Sequence, residues 1–221
     1  MKRIMFNDRY GLTRAVIEGR KTMTRRLCKD DATGEVILAR EVEKWRYFPK
    51  ENQVLFLMKN GDIKTSTPQY TVGEEVAVAQ NYEDALEEYN RMDDTVGWGA
   101  LVGSTENGCA GYGNKMFVRA DLMPHRTQIM DVRIEKIQAI SDNDVFKEGF
   151  TLEAISNNWG NAAWHWEAVL VYYDRLGCTR TIQDREPREA FAALFEKRGV
   201  GGPGMWEKNP FVAAYEFRLE R

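Results

Sequence analysis

The sequence predicts an α+β fold in which short strands form a barrel-like sheet and a few helices lie at its edges. Two β-prone runs flank an Asn-Gly turn at residues 60–61, and the C-terminal segment 211–219 alternates apolar and polar side chains. Short helical patterns separate these strands. The 221 residues contain no Pro/Ser linker, low-complexity tract or internal repeat, so we expect one domain over residues 1–221.

The predicted elements follow one another at short intervals along the chain. The strand patterns cover residues 2–6, 54–58, 63–66, 76–79, 116–119, 132–135 and 211–219. The helical patterns begin at Leu12, Ser141 and Pro187 and stop at Gly19, Gly149 and Gly199. Ser141 is the expected N-cap of its helix, with Asp144 three residues later as in a capping box.

Two segments fit this plan poorly and are expected to be insertions. Residues 83–113 are polar and then glycine-rich, and residues 157–185 begin with a stretch rich in Trp and Tyr. We expect the stretch 157–177 to add a helix over one face of the domain.

The charges are unevenly distributed, although the formal net charge is only −3. Residues 1–30 hold nine Lys or Arg against three acids, so this segment carries +6 and the rest carries −9. The near-neutral total argues against a broad surface that coats nucleic acid, and the basic segment predicts a local anion or nucleotide site. A solvated basic face is the alternative.

With no apolar run of about 18 residues and a charged start, MKRIMFNDRY, we expect a cytoplasmic protein without membrane contact.

The few cysteines and histidines exclude several kinds of site. Cys28, Cys109 and Cys178 are far apart, and His125 and His165 are the only histidines. This composition argues against a zinc site, a His-based triad or a disulfide framework, and we expect no metal and no cofactor. Catalysis would then depend on Lys, Thr or Ser, and carboxylates.

The stretch 19–26, Gly-Arg-Lys-Thr-Met-Thr-Arg-Arg, holds four cations and two hydroxyls after a helix-ending glycine. Lys21 and Thr24 are three residues apart, so a turn can bring the ammonium and the hydroxyl together. Burial and the neighbouring arginines would lower the pKa of Lys21. A neutral Lys21 could then take the proton of Thr24 and make its oxygen nucleophilic. A basic turn that contacts phosphate or solvent is the alternative.

The same stretch resembles the signature of the ASCH domain, a relative of the RNA-binding PUA domains, in Gly19, Lys21 and Arg26. Further similar blocks are TVGEEV at 71–76, Met123-Pro124 with VRIE at 132–135, Ile140-Ser141-Asp142-x-Asp144 with Glu148-Gly149, and Trp206-x-x-Asn209-Pro210-Phe211-Val212. The last block is similar to the ending of the larger, phage- and prophage-associated branch. The resemblance implies a PUA-like mixed β-barrel with peripheral helices and the two insertions.

The resemblance also implies an activity and a set of site residues. Small ASCH proteins that hydrolyse N4-acetylcytidine carry Gly-Arg-Lys-Thr-x-Thr-x-Arg, and every one of these residues is present at 19–26. Their proposed catalytic set maps to Lys21, Thr24 and Glu148, with Glu74 and Glu75 as alternative acids. The remaining motif residues, Gly19, Arg20, Thr22, Arg25 and Arg26, map to substrate binding, and Arg26 or backbone amides of the turn would stabilise the oxyanion.

Two other functions compete with an amidohydrolase. A non-catalytic module that binds RNA or a modified nucleotide would use the basic segment for phosphate and Trp45, Tyr47 or Trp98 for stacking. A phage accessory module would bind a protein partner through exposed tryptophans of the Trp-rich insertion. For the amidohydrolase and for the RNA- or nucleotide-binding module, the expected partner is a nucleoside or RNA ligand. The oligomeric state is left open.

Overall fold

The computed structural model describes residues 1–105, 109–156, 164–173 and 178–220. Within these ranges it has the predicted α+β class, with eleven strands in three sheets and six α-helices. The strands are β1 (Lys2–Ile4), β2 (Met23–Leu27), β3 (Val42–Phe48), β4 (Gln53–Met58), β5 (Ile63–Ser66), β6 (Glu75–Val78), β7 (Arg126–Lys136), β8 (Thr151–Ser156), β9 (Trp164–Tyr173), β10 (Thr179–Asp184) and β11 (Phe211–Glu220). The helices are α1 (Leu12–Ile17), α2 (Tyr82–Arg91), α3 (Thr95–Ser104), α4 (Asp142–Lys147), α5 (Pro187–Phe195) and α6 (Met205–Lys208).

The central sheet has five strands in the order β1-β6-β7-β11-β2. The β1–β6 pair is parallel and the other three pairs are antiparallel. Phe211, Ala213, Tyr215 and Phe217 of β11 are each at most 3% exposed, as predicted. The intervening residues 212 and 214 are buried as well, so burial alternates only from residue 215 onward. β11 pairs with β2, so the basic motif lies at one edge of this sheet.

The prediction of a barrel is wrong, because the described sheets are open. A barrel needs its first and last strands to pair, but none of the three sheets formed by the described residues closes on itself. The edge strands of the central sheet are β1 and β2, and the chain between them forms α1 instead of a further strand. β1 is only three residues long, and among the described strands it pairs with β6 alone.

The predicted hairpin is confirmed in the second sheet, β3-β4-β5. Gly61 has a φ of +88°, which the turn between β4 and β5 requires and glycine adopts readily. Phe56 of β4 packs against Phe211 of β11 with ring centroids 5.0 Å apart, so this sheet covers one face of the central one.

The third sheet, β10-β9-β8, replaces the helix expected over 157–177. The described part of that stretch is the strand β9, while residues 157–163 and 174–177 lie outside the described residues. The segment is rich in aromatic and β-branched side chains, which favour a pleated strand over a helix. Its pairing with both neighbours buries Ala168 and Leu170 against the core.

The helical predictions are confirmed in part. The Ser141 hydroxyl caps α4 by accepting from the Asp144 N–H, and Pro187 begins α5. The strand expected at 116–119 is wrong, because Asn114 caps a short 3-10 helix, Lys115–Phe117, there. In the described part of the expected insertion 83–113 lie α2 and α3. No described helix is long and apolar enough to cross a membrane.

Candidate functional site

The motif segment is held on three sides by backbone hydrogen bonds. Gly19 follows α1 with a φ of +76°. The Lys21 N–H then donates to the Ala15 carbonyl at 2.9 Å, and the Thr22 N–H donates to the Lys147 carbonyl of α4 at 2.8 Å. From Met23 onward the chain is β2, paired antiparallel with β11. The motif therefore lies where α1, α4 and the central sheet meet.

Lys21 and Glu148 form an ion pair in the interior. Lys21 is 2% exposed and Glu148 is 4% exposed. The Lys21 ammonium donates to the Glu148 carboxylate and, at 2.9 Å, to the Glu148 backbone carbonyl. Glu148 is the C-cap of α4, where a carboxylate meets the negative end of the helix dipole and gains from a cationic partner. The structure thus joins two of the three residues that the resemblance assigned to catalysis.

Arg25 binds three carboxylates around this pair. Its guanidinium donates to Glu135 at 2.8 Å, to Asp144 at 2.8 Å and to Glu148 at 3.0 Å. Arg133 donates to the same Asp144 oxygen at 2.9 Å. The resemblance assigned Arg25 to substrate binding, whereas here its side chain, 1% exposed, belongs to an interior network.

Sequence reasoning missed the acids of this network, Asp144 and Glu135. The signal for Asp144 was its spacing from Glu148, since residues four apart lie on the same side of a helix. Met23 could also have been placed there, because alternate residues of β2 share a face. Its sulfur lies 3.3 Å from the Arg25 guanidinium.

The network shifts three pKa values. Burial lowers the pKa of Lys21 despite the opposing charge of Glu148. For Arg25, burial opposes the charged form, but Glu148 and Glu135 raise the pKa on balance. For Asp144, burial acts upward, but the hydrogen bond from Arg133 and the charge of Arg25 lower the pKa overall. Lys21 is therefore the cation of the cluster that gives up its proton most readily.

Thr24 is close in sequence but is not linked to Lys21 by a hydrogen bond. It pairs with Tyr215 of β11 and is 5% exposed. Successive side chains of a strand point to opposite faces, so Thr24 lies on the face opposite Met23 and Arg25. Its hydroxyl has no hydrogen-bond partner within the described residues. Lys21 therefore binds Glu148, whereas the Thr24 hydroxyl oxygen forms no hydrogen bond within the described residues.

Arg26 shares the face of Thr24 and has no carboxylate partner in the described part of the chain. Its guanidinium donates to the Met5 carbonyl, and its Nε–H is buried without an acceptor. The guanidinium carbon lies 5.9 Å from the centroid of the Phe6 ring. The Lys21 ammonium lies 5.9 Å from the same centroid, so the Phe6 ring contacts both cations.

The remaining sequence-predicted residues lie elsewhere. Arg20 pairs with Glu18 at 2.6 Å on the surface. The alternative acids are engaged by other cations: Glu74 binds Lys2 at 3.0 Å and Glu75 binds Arg126 at 3.0 Å.

The predicted aromatic residues are distributed over separate surfaces. Trp45 is 43% exposed and packs edge-on against Phe211, and Trp98 is 41% exposed on α3. In the Trp-rich insertion, Trp166 is 62% exposed, and the His165 side chain lies outside the described residues. The RNA-binding module and the protein-binding phage module would thus have exposed rings available. None of these rings borders the Lys21–Glu148 pair.

Three cavities open near the motif. One of about 660 Å³ lies between α1, α2 and β9, one of about 480 Å³ lies beside Phe6, and one of about 210 Å³ lies beside β2. None of them is lined by Lys21, Thr24 or Glu148, whereas Arg26 lines the two smaller ones. Within the described ranges, no group of three or more His, Cys, Asp or Glu residues is placed to hold a metal ion.

Comparison with known proteins adds no relative. No protein-family model, no curated protein and no solved structure matches the chain significantly.

Proposed function

We propose that this protein is an amidohydrolase of the ASCH type that acts on an N4-acylated cytidine or a similar small nucleoside amide. The buried Lys21–Glu148 pair is the observation that carries the proposal. It joins the lysine of the motif to a glutamate 127 residues away, and both belong to the set that the resemblance implies. A PUA-like relationship of the central sheet is part of the same proposal.

The proposed reaction has two steps. The Thr24 oxygen attacks the acyl carbon, its proton passes to neutral Lys21, and the C–N bond breaks as Lys21 returns that proton to the leaving N4 nitrogen. Water then hydrolyses the ester on Thr24 and releases the carboxylic acid. The lowered pKa of Lys21 supports its role as the base, and Glu148 holds its ammonium in place between proton transfers.

Substrate access requires a movement near Phe6. Its ring is 4% exposed and lies over the Lys21 ammonium, and its neighbour Met5 is 37% exposed. Residues 5–7 form no helix or strand. We propose that the Phe6 side chain turns away and that the acylated base takes the place of the ring beside Lys21, with its acyl group directed toward Thr24.

Steady-state hydrolysis of N4-acetylcytidine tests the proposal. Lys21→Met and Thr24→Val should each lower kcat by about a hundredfold or more, because a base and a nucleophile are lost. Thr65→Val, in a strand of the second sheet, is the matched control and should retain the wild-type rate. Because the Thr24 hydroxyl makes no hydrogen bond, Thr24→Val should also keep the wild-type Tm. Turnover that survives both site substitutions would refute the mechanism.

A nucleotide-binding module without catalysis is the second candidate. The specific observation in its favour is the closed network: Lys21, Arg25, Asp144 and Glu148 are each less than a tenth exposed and bind one another. Such a network also serves to fix β2 against α4. Failure of the wild type to hydrolyse N4-acetylcytidine, together with binding to single-stranded RNA that strengthens with RNA length, would favour this candidate over the hydrolase.

A further inference from the structure

The cavity of about 480 Å³ beside Phe6 has a basic lining. Arg9, Arg26 and Lys115 line it, with Asp8 as its single carboxylate. Its volume falls within the range of small-molecule sites. An excess of two positive charges in a concave site attracts anions.

Arg26 is the residue of this cavity whose bonding is incomplete. The other two arginines of the motif bind carboxylates, Arg20 through Glu18 and Arg25 through three acids. Within the described residues, Arg26 has only the Met5 carbonyl, and its buried Nε–H lacks an acceptor. A buried donor without a partner is uncommon in folded proteins. A guanidinium fork is suited to the oxygens of a phosphate.

Lys115 also lines this cavity and is held there by three acceptors. Its ammonium donates to the Phe6 carbonyl, to Thr13 Oγ1 at 3.1 Å and to Asp8 at 2.7 Å. Burial lowers the pKa of Lys115, and Asp8 opposes this effect. Arg9, an exposed side chain over the Tyr10 ring, contributes the third cation.

The cavity is also near the proposed catalytic pair. Arg26 and Lys21 lie 5.9 Å from the centroid of the same Phe6 ring, so these cations cannot be farther apart than twice that distance. A nucleoside monophosphate spans such a distance between its exocyclic amine and its phosphate. One ligand could therefore reach both positions once the Phe6 ring moves aside.

We infer that this cavity binds the 5′-phosphate of the substrate, so that the protein acts on N4-acylated cytidine monophosphate in preference to the free nucleoside. The inference rests on the proposed function for its reaction, whereas the phosphate site itself rests on Arg26, Arg9 and Lys115. The phosphate would lie against the Arg26 fork, and the acylated base would extend to Lys21.

Two substrates and one matched control test the inference. The wild type should have a kcat/KM about tenfold or more higher for N4-acetylcytidine 5′-monophosphate than for N4-acetylcytidine, since hydrogen bonds to a charged group are strong. Arg9→Ala and Arg26→Gln should bring this ratio close to one. Arg46→Ala removes an arginine that covers Phe48 much as Arg9 covers Tyr10, and it should keep the wild-type ratio. Because Arg9 is exposed, its variant remains informative if Arg26→Gln fails to fold.

A binding measurement separates the two ways in which this could fail. Calorimetric titration with cytidine monophosphate and with cytidine should show tighter binding of the phosphorylated product, and Arg9→Ala should abolish the difference. Hydrolysis of both substrates at equal kcat/KM, or equal affinity for both products, would overturn the phosphate site. Hydrolysis of neither substrate, with an Arg9-dependent preference for the monophosphate, would refute the hydrolase and support the phosphate site.

Discussion

At the residue scale, Glu148 lies between two cations, whereas Lys21 has one carboxylate partner. The Glu148 oxygens bind Lys21 and Arg25, and Arg25 is further bound by Glu135 and Asp144. Removing Lys21 leaves Glu148 still paired, but removing the Glu148 charge leaves a buried ammonium without a counter-ion. Losing one member of a buried pair is costly mainly through the charge left behind.

Glu148→Gln should therefore destabilise the fold by about 3 kcal/mol, and Lys21→Met by about 1 kcal/mol or less. Urea unfolding followed by circular dichroism measures both changes. The double variant should be more stable than Glu148→Gln alone, because no buried ammonium remains. Equal destabilisation by the two single changes would contradict the asymmetric network.

Asp144 predicts a pH dependence of stability. Its pKa is lowered below the ordinary value of 3.8, so its ionised form stabilises the folded state above that pH. This contribution disappears as the pH falls through the lowered pKa, because both states are then protonated. Asp144→Asn should thus destabilise the protein at neutral pH and lose that effect in strong acid. Asp142→Asn, a change at an exposed position of the same helix, is the control and should show no such pH dependence. A loss of stability in Asp144→Asn that is the same at every pH would contradict the ion-pair account.

At the element scale, short sequence patterns correctly predicted the helices and strands whose ends or faces they mark. The Asn-Gly turn located β4 and β5, Ser141 located the start of α4, and the alternating C-terminal run located β11. The helix expected over 157–177 is wrong in its described part, β9, where the aromatic and β-branched side chains favour a strand. Its two neighbouring strands, which decide its conformation, are not visible in local sequence.

The junction after α4 depends on Gly149. Its φ is +108°, and a β-carbon there would lie 3.4 Å from Cβ of Lys21 and 3.5 Å from that of Ala15. Gly149→Ala should therefore cost about 1–3 kcal/mol in unfolding free energy through backbone strain. Gly99→Ala, inside α3 with open space around it, should instead stabilise by about 0.5–1 kcal/mol. A neutral Gly149→Ala would show that this junction tolerates another backbone conformation.

At the scale of the whole molecule, the uneven charge of the sequence is compensated in space. Acids from distant elements bind three of the nine Lys and Arg of the basic N-terminal segment: Glu74 binds Lys2, Glu148 binds Lys21, and three carboxylates surround Arg25. Arg26 is left without an acid in the described residues, beside a cavity. The charge pattern predicted a local anion or nucleotide site or a solvated basic face, whereas the structure places Lys21 and Arg25 in an interior ion-pair network. Sequence alone could not show which cations are paired, because their partners lie between 72 and 127 residues away.

The most direct test of the proposed chemistry is to look for the acyl group on Thr24. Wild-type protein mixed with excess N4-acetylcytidine and quenched in acid should yield a peptide around Thr24 that carries one acetyl group by mass spectrometry, and Thr24→Val should yield none and release no cytidine. Cytidine release by Thr24→Val at the wild-type rate, or no cytidine release by the wild type, would contradict a threonine nucleophile activated by the Lys21–Glu148 pair.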